Sequence, residues 1–350
     1  MRTLLGSCVA LGAAALAVSA APAPKVHRLE ATPSTIAYGW YDAAAEPVLR
    51  VASGDIIDVD TLLTNTPQGL KRAGVADDQI QDSLKQITDA FPPGPQDTRR
   101  GPGGHILTGP VYVDGAEPGD ALEVQILSID LAIAYGYNGC SGFLPDNCVR
   151  GQPSKIITLD RKTMTATFAP GIVLPLHPFF GSMGDAPDPS LGRVSSNPPG
   201  KHGGNLDNKS LVAGTVLYLP VHAPGALFEV GDGHAAQGDG EVDQTAIETS
   251  LRGRLQLTVR KDLKLTWPQA ETPTDYITMG TDPDLTQATK TAIQNMVDFL
   301  MAEKGLERMA AYQLTSVAGN VAVTELVDGN VGVHVKMPKS IFRQPRPGKF

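Results

Sequence analysis

The residues of this sequence suited to hydrolytic chemistry collect in four Gly-rich stretches, at 103–109, 177–187, 202–209 and 231–248. Glycine lets backbone approach a ligand closely and lets a loop adopt positive φ. The densest is GDGHAAQGDGE, residues 231–241. A strand-like run at 226–230 leads into Asp232 and His234 at i, i+2, and Glu241 follows seven residues after the histidine. His, Asp and Glu are the ligand set of Zn²⁺ and similar ions, and a carboxylate close to a metal can act as general base toward water. The spacing fits neither the alternate oxygen ligands of an EF-hand nor the HExxH helix of the zincins. A Gly-rich hairpin carrying incidental acids is the competing reading.

The other stretches add to it. In KHGGNLDNK, Asn205 and Asp207 at i, i+2 project the same way from extended chain, and the Asp207 carboxylate can take a cation. A turn in which both residues cap their own backbone is the alternative. In HPFFGSMGDAP, a loop containing Gly181, Ser182, Met183 and Gly184 can offer N–H groups to an oxyanion, with Phe179 or Phe180 walling a small pocket. A nucleophilic Ser182 would lack the GxSxG surroundings of such serines. His105 stands in the Pro- and Gly-rich approach GPGGHILTGPVYV.

Short strands between turns must position these groups. With 37 Gly and 28 Pro among 350 residues, turns are frequent, as in β-rich folds. Residues 47–64 read as strand, Ser-Gly-Asp turn, strand, and 109–129 as strand, turn at 117–120, strand. Further strands are expected at 156–159, 163–168, 215–221 and 255–259, with partly helical chain at 77–91. Near the end, Leu285, Ala288, Ala292, Met296, Phe299 and Leu300 recur on one helical face, with Thr281 or Asp282 as N-cap and Pro283 in the first turn. A second helix at 306–317 and a last strand at 331–335 complete the pattern. The fold class is therefore mainly β, of sandwich or barrel-like units, with an α/β C-terminal part, α+β overall. The expected division is a β-rich catalytic region at 21–260 and an α/β part at 261–350 packed on it.

Arg2 followed by an apolar run at 4–18 and small residues up to Ala20 reads as a secretory signal peptide, residues 1–20. Export, to periplasm or medium, is expected, with no stable membrane insertion after cleavage. The formal charge is −8 and becomes more negative once Arg2 is removed. That balance argues against nucleic acid as a partner and favours small neutral or cationic molecules. Outside the leader, Cys140 and Cys148 remain, in GYNGCSGFLPDNCVRG. An exported chain permits a bridge between them; a metal pair is the rival, lacking a nearby His.

Four blocks together resemble the acetamidase/formamidase family: TGPVYVDGAEPGDALEVQI, HPFFGSMGDAP, HGGNLDNKSLVAGTVLYLPVHAPGALFEVGDGHAAQGDGEVDQTAIE and LTSVAGNVAVTELVD. They span most of the mature chain. The resemblance implies hydrolysis of a short aliphatic amide to carboxylate and ammonia, a bound divalent metal and a homo-oligomer. The family motif falls on Asn205, Asp207, Asp232, His234, Gln237, Asp239 and Glu241, with His105 ahead of it. On this reading His105, Asp207 and His234 hold the metal, zinc first and calcium as an additional ion. Glu241 is the general base, and Asp232 orients His234 or joins the coordination shell. Asn205, Gly181, Ser182 and Gly184 contact the substrate. The leader and the two-cysteine stretch depart from the better-known, intracellular members and bear on which amide the enzyme meets. A non-enzymatic module in which metal only stabilises a solute pocket is the alternative function.

Overall fold

The computed structural model describes residues 23–92, 94 and 98–343; the leader reading at 1–20 lies outside them. Period-two burial builds the architecture. In the strand Leu251–Arg260, Leu251, Leu255 and Leu257 are fully buried while Arg252 and Arg254 are exposed. That strand pairs antiparallel with Ile56–Asp60 on one side and Ala121–Leu131 on the other, Leu257 lying opposite Val124. Among the described residues they belong to a nine-stranded sheet. Its order is Val26–Leu29, Ile56–Asp60, Leu251–Arg260, Ala121–Leu131, Val216–Pro220, Gln269–Glu271, Asp275–Asp282, Asn330–Pro338 and Asn320–Asp328.

A second sheet sets Tyr135–Asn138, Glu248–Thr249, Phe228–His234, Phe179–Gly184 and Gly203–Asn205 side by side, with Ile106–Val113 also paired to Phe228–His234. The two sheets share one core. Val59, Val124, Leu217 and Leu255 from the first pack with Val111, Phe180, Met183, Phe228 and Val230 from the second. Burying each such side chain contributes roughly 1.5–3 kcal/mol, so this inter-sheet layer dominates the fold energetically. The mainly β expectation holds.

The C-terminal part is joined more intimately than simple packing. Gln269–Glu271 hydrogen-bonds to Val216–Tyr218 and the later strands extend the same sheet, which therefore crosses the expected boundary at 260. Helices Leu285–Lys304 and Arg308–Ala318 cover its end, Ala288, Ala292, Met296 and Leu300 packing with Val333, Val335 and Met337.

Local details differ from expectation for physical reasons. The N-cap of the long helix is Asp284, whose carboxylate accepts from the N–H groups of Thr286 and Gln287 at 2.7 and 3.0 Å. Thr281 and Asp282 stay in a strand because they pair with Gly332 and Val331. Pro283 accordingly precedes the cap, and Leu285, in the first turn, is 40% exposed instead of facing the core. The strand Asn320–Asp328 was not expected; it forms an antiparallel hairpin with Asn330–Pro338. Residues 67–72 form a further short helix capped by Thr66. Among the described residues no helix is long and apolar enough to cross a membrane.

Candidate active site

Among the described residues three donor groups overlap in one place, all buried but for the half-buried Asp328: Asp207, Asp232 and His234; His234, Glu241 and Glu248; and Asp207, Glu241 and Asp328. Within each, one ligand atom per residue lies within 4.8 Å of the others. They surround a cavity of about 60 Å³ lined also by Thr64, His105, Tyr137, Asn205, Gln244 and Thr245. Larger grooves of about 950, 810, 620 and 440 Å³ lie elsewhere and contain none of these donors.

The second sheet delivers the groups. Asp232 and His234 come from the strand Phe228–His234, where Asp232 has a φ of 54°. Gly181 lies in the neighbouring strand, and a Cβ there would sit 2.5 Å from both Asp207 Oδ1 and Asp232 Oδ2 and 2.8 Å from His234 Cε1. Only glycine lets three ligand side chains close over that backbone. Asp207 follows the strand Gly203–Asn205, turns inward with a φ of 44°, and donates its N–H to Gly181 O at 3.1 Å. Asp328 ends the C-terminal strand Asn320–Asp328, so both parts of the chain build the site.

Hydrogen bonds then orient the ligand atoms. Gln237 Nε2 donates to the Asp207 carbonyl at 2.8 Å, which turns its Oε1 toward His234 Nδ1, also at 2.8 Å. Nδ1 must therefore carry the proton, and Nε2 points into the carboxylates. Nε2 lies 3.2 Å from Asp232 Oδ2, 3.2 Å from Glu248 Oε1 and 4.0 Å from Glu241 Oε1, but completes a hydrogen bond with none. Both Asp207 oxygens and Glu248 Oε2 are likewise buried without a partner. Thr64 Oγ1 donates to Asp232 Oδ1 at 3.0 Å. Asn205 bridges the other side, accepting from Ser182 Oγ at 2.7 Å and donating to Asp328 Oδ2 at 2.9 Å.

Burial, reinforced by neighbouring carboxylates, pushes Asp207 and Glu241 well above the usual carboxylate range, and burial raises Glu248 and Asp328 as well. Asp232 is also buried, but His234 and His105 outweigh that and hold it low. His234 is buried too, yet Glu248 and Asp232 drive it well above its ordinary value. Carboxyls crowded in this way are short of positive charge.

The sequence-derived residues gather here with two revisions. Asp207, Asp232, Glu241 and Asn205 line the cavity, and His234 joins Asp207, Asp232 and Glu241 in the donor groups. His105 lines it but belongs to none of the donor groups: its Nδ1 is held by Ser196 Oγ at 2.8 Å, leaving Nε2 3.8 Å from Asp232 Oδ2. Residues 179–184 are a wholly buried strand, not a loop. Ser182 spends its hydroxyl on Asn205, and neither it nor Gly184 lines the cavity. Glu248 and Asp328 were assigned no role, although each closes one of the quoted blocks, TAIE and TELVD. Cys140 and Cys148 are bridged, with 5.6 Å between their Cα atoms.

Comparisons with known proteins bear on the family and the fold. The chain is 30% identical to the formamidase of Methylophilus methylotrophus over 191 residues, covering 39% of this chain and 47% of that protein. The alignments span about half the length of the curated relatives it matches. A crystal structure of an acetamidase from Bacillus halodurans superposes with a TM-score of 0.74 at 30% identity, covering 90% of this chain and 98% of the other. An acetamidase structure from Yersinia enterocolitica superposes at 0.76 with 26% identity, covering 93% and 96%. The model of the Acetamidase/Formamidase family matches residues 98–197 and 192–344, a span holding every lining residue of the cavity except Thr64. The chain belongs to the acetamidase/formamidase family.

Proposed function

We propose that this protein is an exported, metal-dependent amidohydrolase that converts a short-chain aliphatic amide, formamide- or acetamide-like, to carboxylate and ammonia. The observation that carries this reading is the set of partnerless buried ligand atoms, His234 Nε2, Asp207 Oδ1 and Oδ2 and Glu248 Oε2, in overlapping donor groups beside one small cavity that Asp207 and Glu248 line. Buried polar atoms of this kind call for an ion or ordered water. His234 with Asp207 and Asp232 suits zinc, whereas the all-oxygen group Asp207, Glu241 and Asp328 suits a harder ion such as calcium. A divalent cation held there supplies positive charge that polarises an amide carbonyl and acidifies water.

The chain's own residues supply the rest. Glu241, near His234 but not tied to it, is the general base that takes a proton from water and returns it to the leaving nitrogen. Gln237 fixes the His234 ring and its tautomer, and Asp232, 3.2 Å from Nε2, joins the coordination shell. Asn205 and Gln244 offer polar contacts at the wall. A cavity of about 60 Å³ is far below the roughly 300–1,000 Å³ of drug-sized pockets, which favours a one- to three-carbon amide. The resemblance further favours a homo-oligomer.

The test is ammonia release from formamide, acetamide and propionamide, with elemental analysis of the same preparation. Turnover lost on chelation, restored by metal and absent in His234→Ala is expected. Turnover indifferent to both treatments would remove the metal mechanism. Metal binding that raises thermal stability with no turnover on any amide would favour a solute-binding module instead.

A further inference from the structure

The segment that carries Glu241 and Gln244 is strained and is gripped from two sides. Glu241 has a φ of 42° and Gln244 a φ of 78°, left-handed values that non-glycine residues keep only where their surroundings impose them. On one side the C-terminal strand holds Gly240, whose N–H donates to Thr324 O at 2.9 Å and whose carbonyl accepts from Leu326 N–H at 3.0 Å. On the other side stands the loop closed by the Cys140–Cys148 bridge.

That loop meets the segment backbone to backbone. Ser141 N–H donates to Asp243 O at 3.1 Å, and Phe143 N–H to Val242 O at 2.8 Å. Gly139 N–H donates to Thr245 Oγ1 at 2.8 Å. At Gly142, with a φ of 67°, an added Cβ would lie 2.6 Å from Val242 O and 2.7 Å from Gln244 N, so the two chains touch with no room for a side chain. Just before the loop, Asn138 Nδ2 faces Thr245 Oγ1 at 2.9 Å, Ala246 O at 3.2 Å, and Asp243 Oδ1 and Thr245 O at 3.3 Å. Gln244 in turn donates to Asp328 Oδ1 at 2.6 Å, and Glu241 lies among the ligand groups. The grip therefore reaches the reacting centre through one short segment.

We propose that Asn138 and the disulfide-closed loop 140–148 form a positioning device for the active site, holding Glu241 and Gln244 in their left-handed backbone and hence at the cavity wall. The bridge restricts the loop, the loop's N–H groups fix Val242 and Asp243, and Asn138 fixes Asp243 to Ala246. The kinetic part of this inference rests on the amidase reading given above.

The test compares wild type with Asn138→Ala and with the double variant Cys140→Ser/Cys148→Ser. It measures kcat and KM on the best short amide, and amide hydrogen exchange of residues 240–246, at a temperature well below each unfolding midpoint. At least a tenfold fall in kcat, KM within about threefold of wild type, and faster exchange at 240–246 are expected. A merely structural loop would lower the unfolding temperature and leave kcat of the folded variant unchanged; that result, or unchanged exchange, overturns the proposal. If the double cysteine variant does not fold, Asn138→Ala decides alone. If wild type turns over no amide, the functional reading fails while hydrogen exchange still decides the positioning one.

Discussion

Gln237 Oε1 sits 2.8 Å from His234 Nδ1 while the same amide donates through Nε2 to the carbonyl of Asp207, so one side chain sets the tautomer of the histidine and anchors the aspartate's backbone. Gln237→Leu removes both contacts and frees the ring. Metal affinity by calorimetric titration, and kcat/KM with it, should fall about 10- to 100-fold. Equal affinity in the variant would show that the amide does not set the ligand.

Glu248 and Asp328 each complete a donor group with His234 or Asp207. The isosteric changes Glu248→Gln and Asp328→Asn keep shape and remove charge. Each should weaken metal binding at least about tenfold, and Asp328→Asn should also disturb its contacts with Gln244 and Asn205. Wild-type metal content in both variants after dialysis would exclude these residues from the site.

Gly181→Ala places a methyl group 2.5 Å from two carboxylate oxygens. Displacement of the ligands by about 1 Å should cost on the order of 100-fold in turnover, with the β signature in circular dichroism retained. Unaltered kinetics would mean that the cluster can yield without consequence.

His202 and His334, which belong to none of the donor groups and do not line the cavity, give a pH dependence of stability. Burial lowers each imidazole to about 4, with His222 adding to the effect at His202 and Lys336 at His334. In the unfolded chain each takes up a proton near pH 6.5. The neutral forms therefore contribute stability that is fully present above pH 6.5 and is lost as pH falls toward 4, about 3 kcal/mol for each. The unfolding midpoint of His202→Gln/His334→Gln should decline less steeply across that window than that of wild type. Parallel midpoint curves would contradict the assignment.

Asp284→Ala deletes the cap of the helix Leu285–Lys304. Chemical denaturation should show a loss of about 1 kcal/mol, with activity unaffected because the cap lies outside the cavity lining.

Much of this protein could be read along the chain. Alternating Leu and Val announced the strands, the apolar face from Ala288 to Leu300 announced the long helix, and the Gly-rich blocks named His234, Asp232, Glu241, Asp207 and Asn205 together. These signals are local: period, turn chemistry and the spacing of ligand types are properties of neighbouring residues. Where the expectation slipped, a distant partner decided. Thr281 and Asp282 stayed in a strand because of pairing with Gly332 and Val331, and residues 179–184 became a central strand because sheet neighbours took both edges.

The composition of the donor set belongs to that second kind. Asp328 lies 94 positions beyond His234, yet the C-terminal hairpin returns it to the cavity wall. His105, a ligand by type, has its ring set by Ser196, 91 residues away, which leaves Nε2 3.8 Å from Asp232 Oδ2. Residue types and short spacings set metal-assisted hydrolysis beside an incidental hairpin, and the resemblance of whole blocks to a family made it the chemistry to expect. Only the tertiary structure decided which carboxylates share a histidine, because that depends on contacts a few ångströms long between segments far apart in sequence.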